Sequence, residues 1–285
     1  METKNSFRPL LVTEAFGHGI LSLLYAKAYG MQPVAFSDKD NEAEFTSQVN
    51  QIMANLSFFA PGMIAVSWED REDYSNEFNF RQELLNGKIP AEAWRDMASS
   101  KLLPQTDDEL PMFEGLLPGA TLFVPQKLKS DGMCGTTAEQ QSLSPVIFYF
   151  LKGGNIALGQ HFHKVNDLPL VEELAKEFGL YVPGMTEDNE VFGIRGVKHM
   201  MYWNFYGKIG ASVGIAGTHT WYLLACRPEV PQVILYNRNG VEKWGEIEEA
   251  YQAAGYNIRC IGFDENSNME ELAKEIERTY AEIKK

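Results

Sequence analysis

Residues 214–237 read GIAGTHTWYLLACRPEVPQVILYN, and this segment contains every part of a parallel β–α–β unit. An apolar strand ends in a glycine-rich turn, a short apolar helix begins at Thr218, and a second apolar strand follows two prolines. Strands joined through a helix lie parallel in one sheet, because a crossover of this length returns the chain to the same edge. The segment therefore predicts an α/β fold.

The same alternation of short β-rich runs and helical patterns continues along most of the chain. It is interrupted between about 69 and 118, where charge and three prolines suit a domain connection or a lid. We therefore predict two Rossmann-like domains with mostly parallel sheets and a cleft between them. The N-terminal domain is expected over 1–115, the C-terminal domain over 119–270 and a terminal helix over 271–285. Strands are predicted in PLLVTEA (9–15), PVAFSD (33–38), GMIAVSW (62–68), TLFVPQ (121–126), NIALGQ (155–160), VFGIRG (191–196), ASVGIAG (211–217), PQVILYN (231–237) and NIRCIGF (257–263). The run 137–154 is predicted helical, although its VIFYF segment would also suit a strand.

Composition indicates a globular protein and limits its partners. The 285 residues are 45% hydrophobic, enough for real cores. No apolar run approaches the length of a membrane span, and the N-terminus lacks the pattern of a signal peptide, so we expect a cytoplasmic protein with no membrane span. The net charge of −14 argues against broad binding to nucleic acid. The three cysteines are widely separated, which supports neither a disulfide framework nor a cysteine zinc site.

The turn after the first predicted strand, EAFGHG (14–19), carries the first candidate catalytic residues. Glycines flank His18, so the backbone can turn sharply and hold an imidazole at a helix start. Histidine is the side chain best suited to proton transfer near neutral pH, which makes His18 the preferred general base and Glu14 a reserve. The alternative is a tight turn with an incidental histidine.

The turn 214–219 is a candidate anion site. The helix N-terminus here would offer the backbone N–H groups of Gly217, Thr218 and His219, and Gly214 lies just before them. Backbone N–H groups at a helix N-terminus bind phosphate or diphosphate well. The alternative is structural, with Thr218 as an N-cap after a close-packed glycine.

Three further groups of residues are weaker candidates. The glycines around Arg195 allow close approach to a flat group such as a base, and the candidates there are Arg195, Gly196 and Val197. Lys127 and Lys129 follow the strand that opens the second domain, where cations suit a phosphate, although such residues are more often surface charge. His161-x-His163 suggests a metal, but no third ligand lies nearby in the sequence, so we predict no metal site.

The C-terminal half resembles the donor-nucleotide domain of GT-B-fold glycosyltransferases. The resemblance is carried by GIRGVKHMMYWNFYGKIGASVGIAGTHTWYLLACRPEVPQVILYN (193–237), spans about 119–285, and extends more loosely over 1–68. In that superfamily the equivalent helix start faces the diphosphate of a nucleotide sugar, and the upstream loop meets the base. The chain lacks the acidic EX7E-type signature of many retaining members.

The resemblance implies transfer of a sugar from a nucleotide-diphosphate donor to an acceptor hydroxyl, with inversion and without a metal or other cofactor. Backbone donors at 217–219 and the cations at 127, 129 and 195 would stabilise the leaving group, and His18 would deprotonate the acceptor. The acceptor stays open between a small molecule, a glycan, a protein and a modified nucleic-acid base. Alternatives are a sugar-nucleotide epimerase, another Rossmann-type enzyme such as a dehydrogenase, or a non-catalytic protein that binds a nucleotide or other small ligand.

Overall fold

The strands of the protein form two sheets in which every observed pair is parallel. The computed structural model describes residues 8–14, 16–103, 118–124 and 207–285, together with 143, 146, 147, 149–151, 154 and 156–158. The first sheet has the strand order β3-β2-β1-β4, and the second has the order β6-β5-β7-β8-β9. The strands are β1 (Pro9–Val12), β2 (Gln32–Ala35), β3 (Ile64–Ala65), β4 (Phe78–Asn79), β5 (Ala120–Val124), β6 (Ile156–Leu158), β7 (Ile209–Ile215), β8 (Gln232–Asn237) and β9 (Ile258–Phe263).

Helices connect most of these strands, as the alternating sequence pattern predicts. They are α1 (His18–Tyr29), α2 (Glu42–Leu56), α3 (Arg71–Tyr74), α4 (Phe80–Leu85), α5 (Ala91–Ala98), α6 (Thr218–Cys226), α7 (Trp244–Ala253) and α8 (Met269–Ile283). Residues 143, 146, 147 and 149–151 are also helical, which favours the helix over the strand for the VIFYF segment. The α/β fold with parallel sheets is therefore confirmed.

Two predicted elements differ from the structure. The strand predicted over 62–68 is reduced to Ile64–Ala65, since tight turns at 57–62 and 68–70 occupy its flanks. The region 69–118 does more than connect domains, because it contributes β4, which pairs with β1 through Leu10↔Phe78 and Leu11↔Asn79. The strand predicted at 191–196 lies outside the described residues.

Local sequence explains where the helices begin and end. Asn41 caps α2 by accepting a hydrogen bond from the Glu44 N–H at 2.9 Å, and Asn268 caps α8 in the same way. Helix α1 ends at Gly30, whose φ of 61° is the left-handed conformation that glycine adopts without strain. Each cap satisfies backbone groups that the helix itself leaves without a partner.

One hydrophobic core joins the two sheets. It contains residues of β1 and β2 together with one face of β5, β7, β8 and β9, and helices α1, α5, α6 and α7 pack between them. At its centre Trp221 stacks on Trp244, with ring centroids 4.6 Å apart, and faces Trp94 at 6.5 Å. We call these three residues the tryptophan stack. All three are nearly inaccessible, so the N-terminal and C-terminal halves bury a common surface.

The predicted division at residues 115–119 falls next to a segment outside the described residues and stays a prediction. Within the part of the chain that the structure describes, no helix combines the length and apolar character needed to cross a bilayer.

Candidate functional site

In each sheet there is one point from which the chain connections lead to opposite sides. From β1 the chain moves outward to β2 and β3, and it then returns to β4 on the other side of β1. In the second sheet, β6 and β7 lie on opposite sides of β5. Ligands of open parallel sheets lie beyond the carboxyl ends of the strands where such connections diverge. Those ends lead into the turn 13–17 after β1 and into the turn 216–217 after β7.

The two turns, about 200 residues apart in sequence, lie against each other in the structure. A Cβ atom built on Gly17 would lie 3.3 Å from the Thr218 hydroxyl oxygen, closer than ordinary contact. Phe16 stacks on Tyr222 with ring centroids 6.1 Å apart and an interplanar angle of 7°. The His18 ring lies 6.2 Å from that of Trp221. The residues predicted for proton transfer and for anion binding are therefore neighbours.

Helices α1 and α6 run side by side in the same direction from these turns. At their other ends, the Lys27 ammonium donates to the Lys101 carbonyl at 2.6 Å, and the Leu102 N–H donates to the Ala225 carbonyl at 2.8 Å. Residues 101–102 thus link the C-terminal ends of both helices. The positive ends of two helix dipoles consequently meet at one point, which favours a negative charge there.

Both helices begin without a side-chain cap. Their N-cap residues are Gly17 and Gly217, neither of which supplies a side-chain hydrogen bond, and neither first turn contains Asp or Glu. By contrast, α2, α4 and α8 begin with asparagine caps and have acidic residues in their first turns. An anion approaching the shared N-termini therefore meets no carboxylate from either first turn.

The turn before α6 is held by its own side chains. The Gly217 N–H donates to the Thr220 hydroxyl at 3.2 Å, and that oxygen lies 3.1 Å from His219 Nε2. The His219 ring is 7% exposed and packs over Gly217. Thr218 is half-buried, so its side chain is the more accessible of the two. His219 thus braces the turn, and its contact with a ligand stays a prediction.

Gly214 has a packing reason to be glycine. Its φ is 154°, and a Cβ atom there would collide with the backbone carbonyl of Val124 on β5. The glycine lets β7 and β5 approach at the point where connections diverge.

The turn after β1 is fixed from two sides. The Gln48 side chain donates to the Thr13 carbonyl at 3.1 Å and accepts from the Ser37 hydroxyl at 2.6 Å. Glu14 forms an ion pair with Arg81 of α4, with Oε1 and Nε 2.6 Å apart. This pair bridges the β1 and β4 ends of the first sheet. Glu14 is therefore engaged by a cation, and its role as a reserve base stays a prediction.

The thiols of Cys226 and Cys260 both have a raised pKa. Burial strongly raises the pKa of the Cys226 thiol at the end of α6, and burial also raises the pKa of Cys260 on β9. The thiolate is the reactive form of cysteine. Burial therefore favours the protonated, less reactive form of both thiols at neutral pH.

Five of the residues predicted to contact a ligand lie outside the described residues: Lys127, Lys129, Arg195, Gly196 and Val197. Among the residues that are described, no group of three His, Cys, Asp or Glu side chains could hold a metal ion. The structure adds three residues that the sequence analysis did not single out. Thr220 was signalled by its place three residues after the N-cap, whereas Arg81 and Trp221 had no local signal.

No protein-family model matches the chain, and comparison with curated proteins gives no match. The geometry of the two turns is therefore the basis for assigning a function.

Proposed function

We propose that the protein is a glycosyltransferase that moves a sugar from a nucleotide-diphosphate donor to an acceptor hydroxyl, with inversion and without a metal. The observation that supports this most strongly is the close approach of Gly17 to Thr218, because Gly17 precedes His18 and Thr218 begins a helix whose N-terminus suits phosphate. The reaction requires a site for a diphosphate leaving group and a general base, and each turn offers candidate residues for one of them.

The chemistry follows from where charge develops. The acceptor oxygen forms a bond to the anomeric carbon of the sugar, and the bond from that carbon to the diphosphate oxygen breaks. His18 accepts the acceptor proton, while the electron pair and negative charge leave with the nucleoside diphosphate. In this proposal the charge accumulates at the N-termini of α1 and α6, and Thr218 supplies a hydroxyl donor.

Measurements of binding and of turnover distinguish the proposed role of Thr218 from that of His18. Thermal-shift and calorimetric measurements with inorganic pyrophosphate and a panel of nucleoside diphosphates and their sugars would be made on wild type, Thr218→Ala and His18→Ala. We expect stabilisation of wild type by at least one nucleoside diphosphate, loss of this effect in Thr218→Ala, and retention in His18→Ala. Once an acceptor is found, His18→Ala is expected to lose turnover by roughly 10²–10⁴-fold.

Other results would point elsewhere. Conversion of the donor sugar without any acceptor would favour an epimerase. Binding of nucleotides with no turnover of any donor, unchanged by His18→Ala, would favour a binding protein. If neither pyrophosphate nor any nucleotide binds, the proposal is wrong.

A further inference from the structure

The tip of β8 lies directly beside the turn proposed to hold phosphate. The Ala216 N–H donates to the Leu235 carbonyl at 2.8 Å, and Ile215 is paired with Leu235 in register. Tyr236, the next residue of β8, is therefore adjacent to the turn 216–218. Beyond it lies β9, so the tips of these three strands span about 10 Å at roughly 4.8 Å per strand. A ligand that extends sideways from the phosphates along the sheet edge meets β8 first.

Tyr236 faces the side of the second sheet on which α6 and the α1 turn lie. Its ring is 6.1 Å from that of Trp244, which stacks on Trp221 at 4.6 Å. Since Trp221 also neighbours His18, a continuous line of aromatic rings leads from the proposed base to Tyr236. Tyr236 is only half-buried, unlike the two tryptophans, so part of its side chain is accessible.

Glycine on the neighbouring strand makes room for this side chain and for Arg238. A Cβ atom on Gly262 would lie 2.9 Å from Tyr236 Cζ and Oη and 2.9 Å from Arg238 Cγ. Gly262 has an ordinary backbone conformation, because it is not among the glycines with positive φ. Glycine is therefore needed at position 262 for the space that it leaves for Tyr236 and Arg238.

Arg238 is an accessible cation at the same tip. Its side chain is 56% exposed, and its Nη1 lies 3.3 Å from Asp264 Oδ2. A guanidinium carries five N–H donors, and among the described side chains Asp264 engages one of them, so the others can reach a ligand. An aromatic ring beside a guanidinium is a combination that binds a base and the polar groups of its ribose.

We propose that Tyr236 and Arg238 form a nucleoside subsite, with the base against the Tyr236 ring and the ribose or its adjoining phosphate at Arg238. The inference rests on the proposed function, because the turn 216–218 fixes where the phosphates lie. The donor sugar is then carried by a nucleoside diphosphate, rather than by a diphosphate on a lipid or on another group without a base.

Calorimetry on the full chain with inorganic pyrophosphate, UDP, ADP and GDP tests this subsite. In wild type, at least one nucleoside diphosphate is expected to bind about tenfold or more tightly than pyrophosphate, because base stacking contributes substantially to affinity. Tyr236→Ala removes this advantage without changing pyrophosphate binding, and Tyr236→Phe keeps it. Gly262→Ala is a second route to the same result, since its methyl group displaces Tyr236 and Arg238 while both remain in the chain. Tyr149→Ala, at a 77% exposed residue outside this tip, is the control and leaves all affinities unchanged.

The outcomes separate the two proposals. If pyrophosphate binds wild type and nucleoside diphosphates bind no more tightly, the phosphate site stands and the nucleoside subsite is wrong. The subsite is also wrong if Tyr236→Ala and Gly262→Ala both fold and keep the nucleotide advantage. If nothing binds wild type, both proposals fall together.

Discussion

Replacing Gly17 with alanine tests the contact between the two turns. Gly17 has φ 59° and ψ −107°, a conformation that L residues rarely adopt. The substitution is expected to lower the free energy of unfolding by about 1–3 kcal/mol from backbone strain alone. The new methyl group would also lie 3.3 Å from the Thr218 hydroxyl oxygen, so that oxygen must move. Urea denaturation of the variant measures the sum of both effects.

A control at the other end of the same helix separates backbone strain from the contact. Gly30 has φ 61°, and a Cβ atom there meets nothing within 4 Å. Gly30→Ala is expected to lower the free energy of unfolding by about 1–2 kcal/mol. Since Gly30 lies far from both turns, the substitution should leave pyrophosphate affinity unchanged, whereas Gly17→Ala should reduce it.

A double-mutant cycle isolates the contact itself. Thr218→Ala removes the oxygen that the new methyl group approaches, so the double variant should be less destabilised than the sum of the single variants. Residues in direct contact typically show couplings of about 0.5–3 kcal/mol. Additive effects, together with unchanged pyrophosphate binding in Gly17→Ala, would refute the argument that the two turns form one site.

Two further predictions concern stability. Trp221→Ala should lower the free energy of unfolding by about 3–5 kcal/mol in urea, because it empties the centre of the tryptophan stack, whereas the exposed Tyr149→Ala should change it little. Burial alone would raise the pKa of Glu229, but hydrogen bonds from Arg227 and Lys101 lower it overall from 4.5. The ion pairs therefore stabilise the fold above pH 4.5 and lose this effect as pH falls through the lower folded value. Glu229→Gln should cost about 1 kcal/mol or less at neutral pH, since the group is partly exposed, and this difference should disappear in acid; a constant difference would contradict the assignment.

The helices were predictable because their signals are local. Helix α2 begins after Asn41 and buries Phe45, Val49, Ile52 and Leu56, which follow the period of a helix. Strand β4 could not be predicted in the same way. It has two residues and no alternation, and it is a strand because Leu10 and Leu11 of β1 pair with it. Pairing of that kind depends on the folded chain and leaves no pattern in the segment itself.

Each turn of the candidate site was visible in the sequence, but their contact was not. Glycines beside His18 and Thr218 signalled two strand-to-helix turns separately. What brings them together is the packing of α1 on α6, and α6 is buried on all sides, including Trp221 and Tyr222. In the sequence such a helix looks uniformly apolar, so no face of it indicates which partner it will contact.

The interaction energy of the two helix N-termini with an anion limits the affinity that they can provide alone. A helix dipole contributes up to about 2 kcal/mol to an anion in a favourable, partly buried site, so two contribute up to about 4 kcal/mol. A dissociation constant of about 1 mM corresponds to about 4.1 kcal/mol. Pyrophosphate held by these helices alone should therefore bind no more tightly than about millimolar.

Tighter binding that weakens steeply with salt would indicate cations such as Lys127, Lys129 or Arg195, since screening reduces charge–charge attraction. Tighter binding that is insensitive to salt and specific for nucleotides would instead come from Tyr236, because stacking depends little on ionic strength.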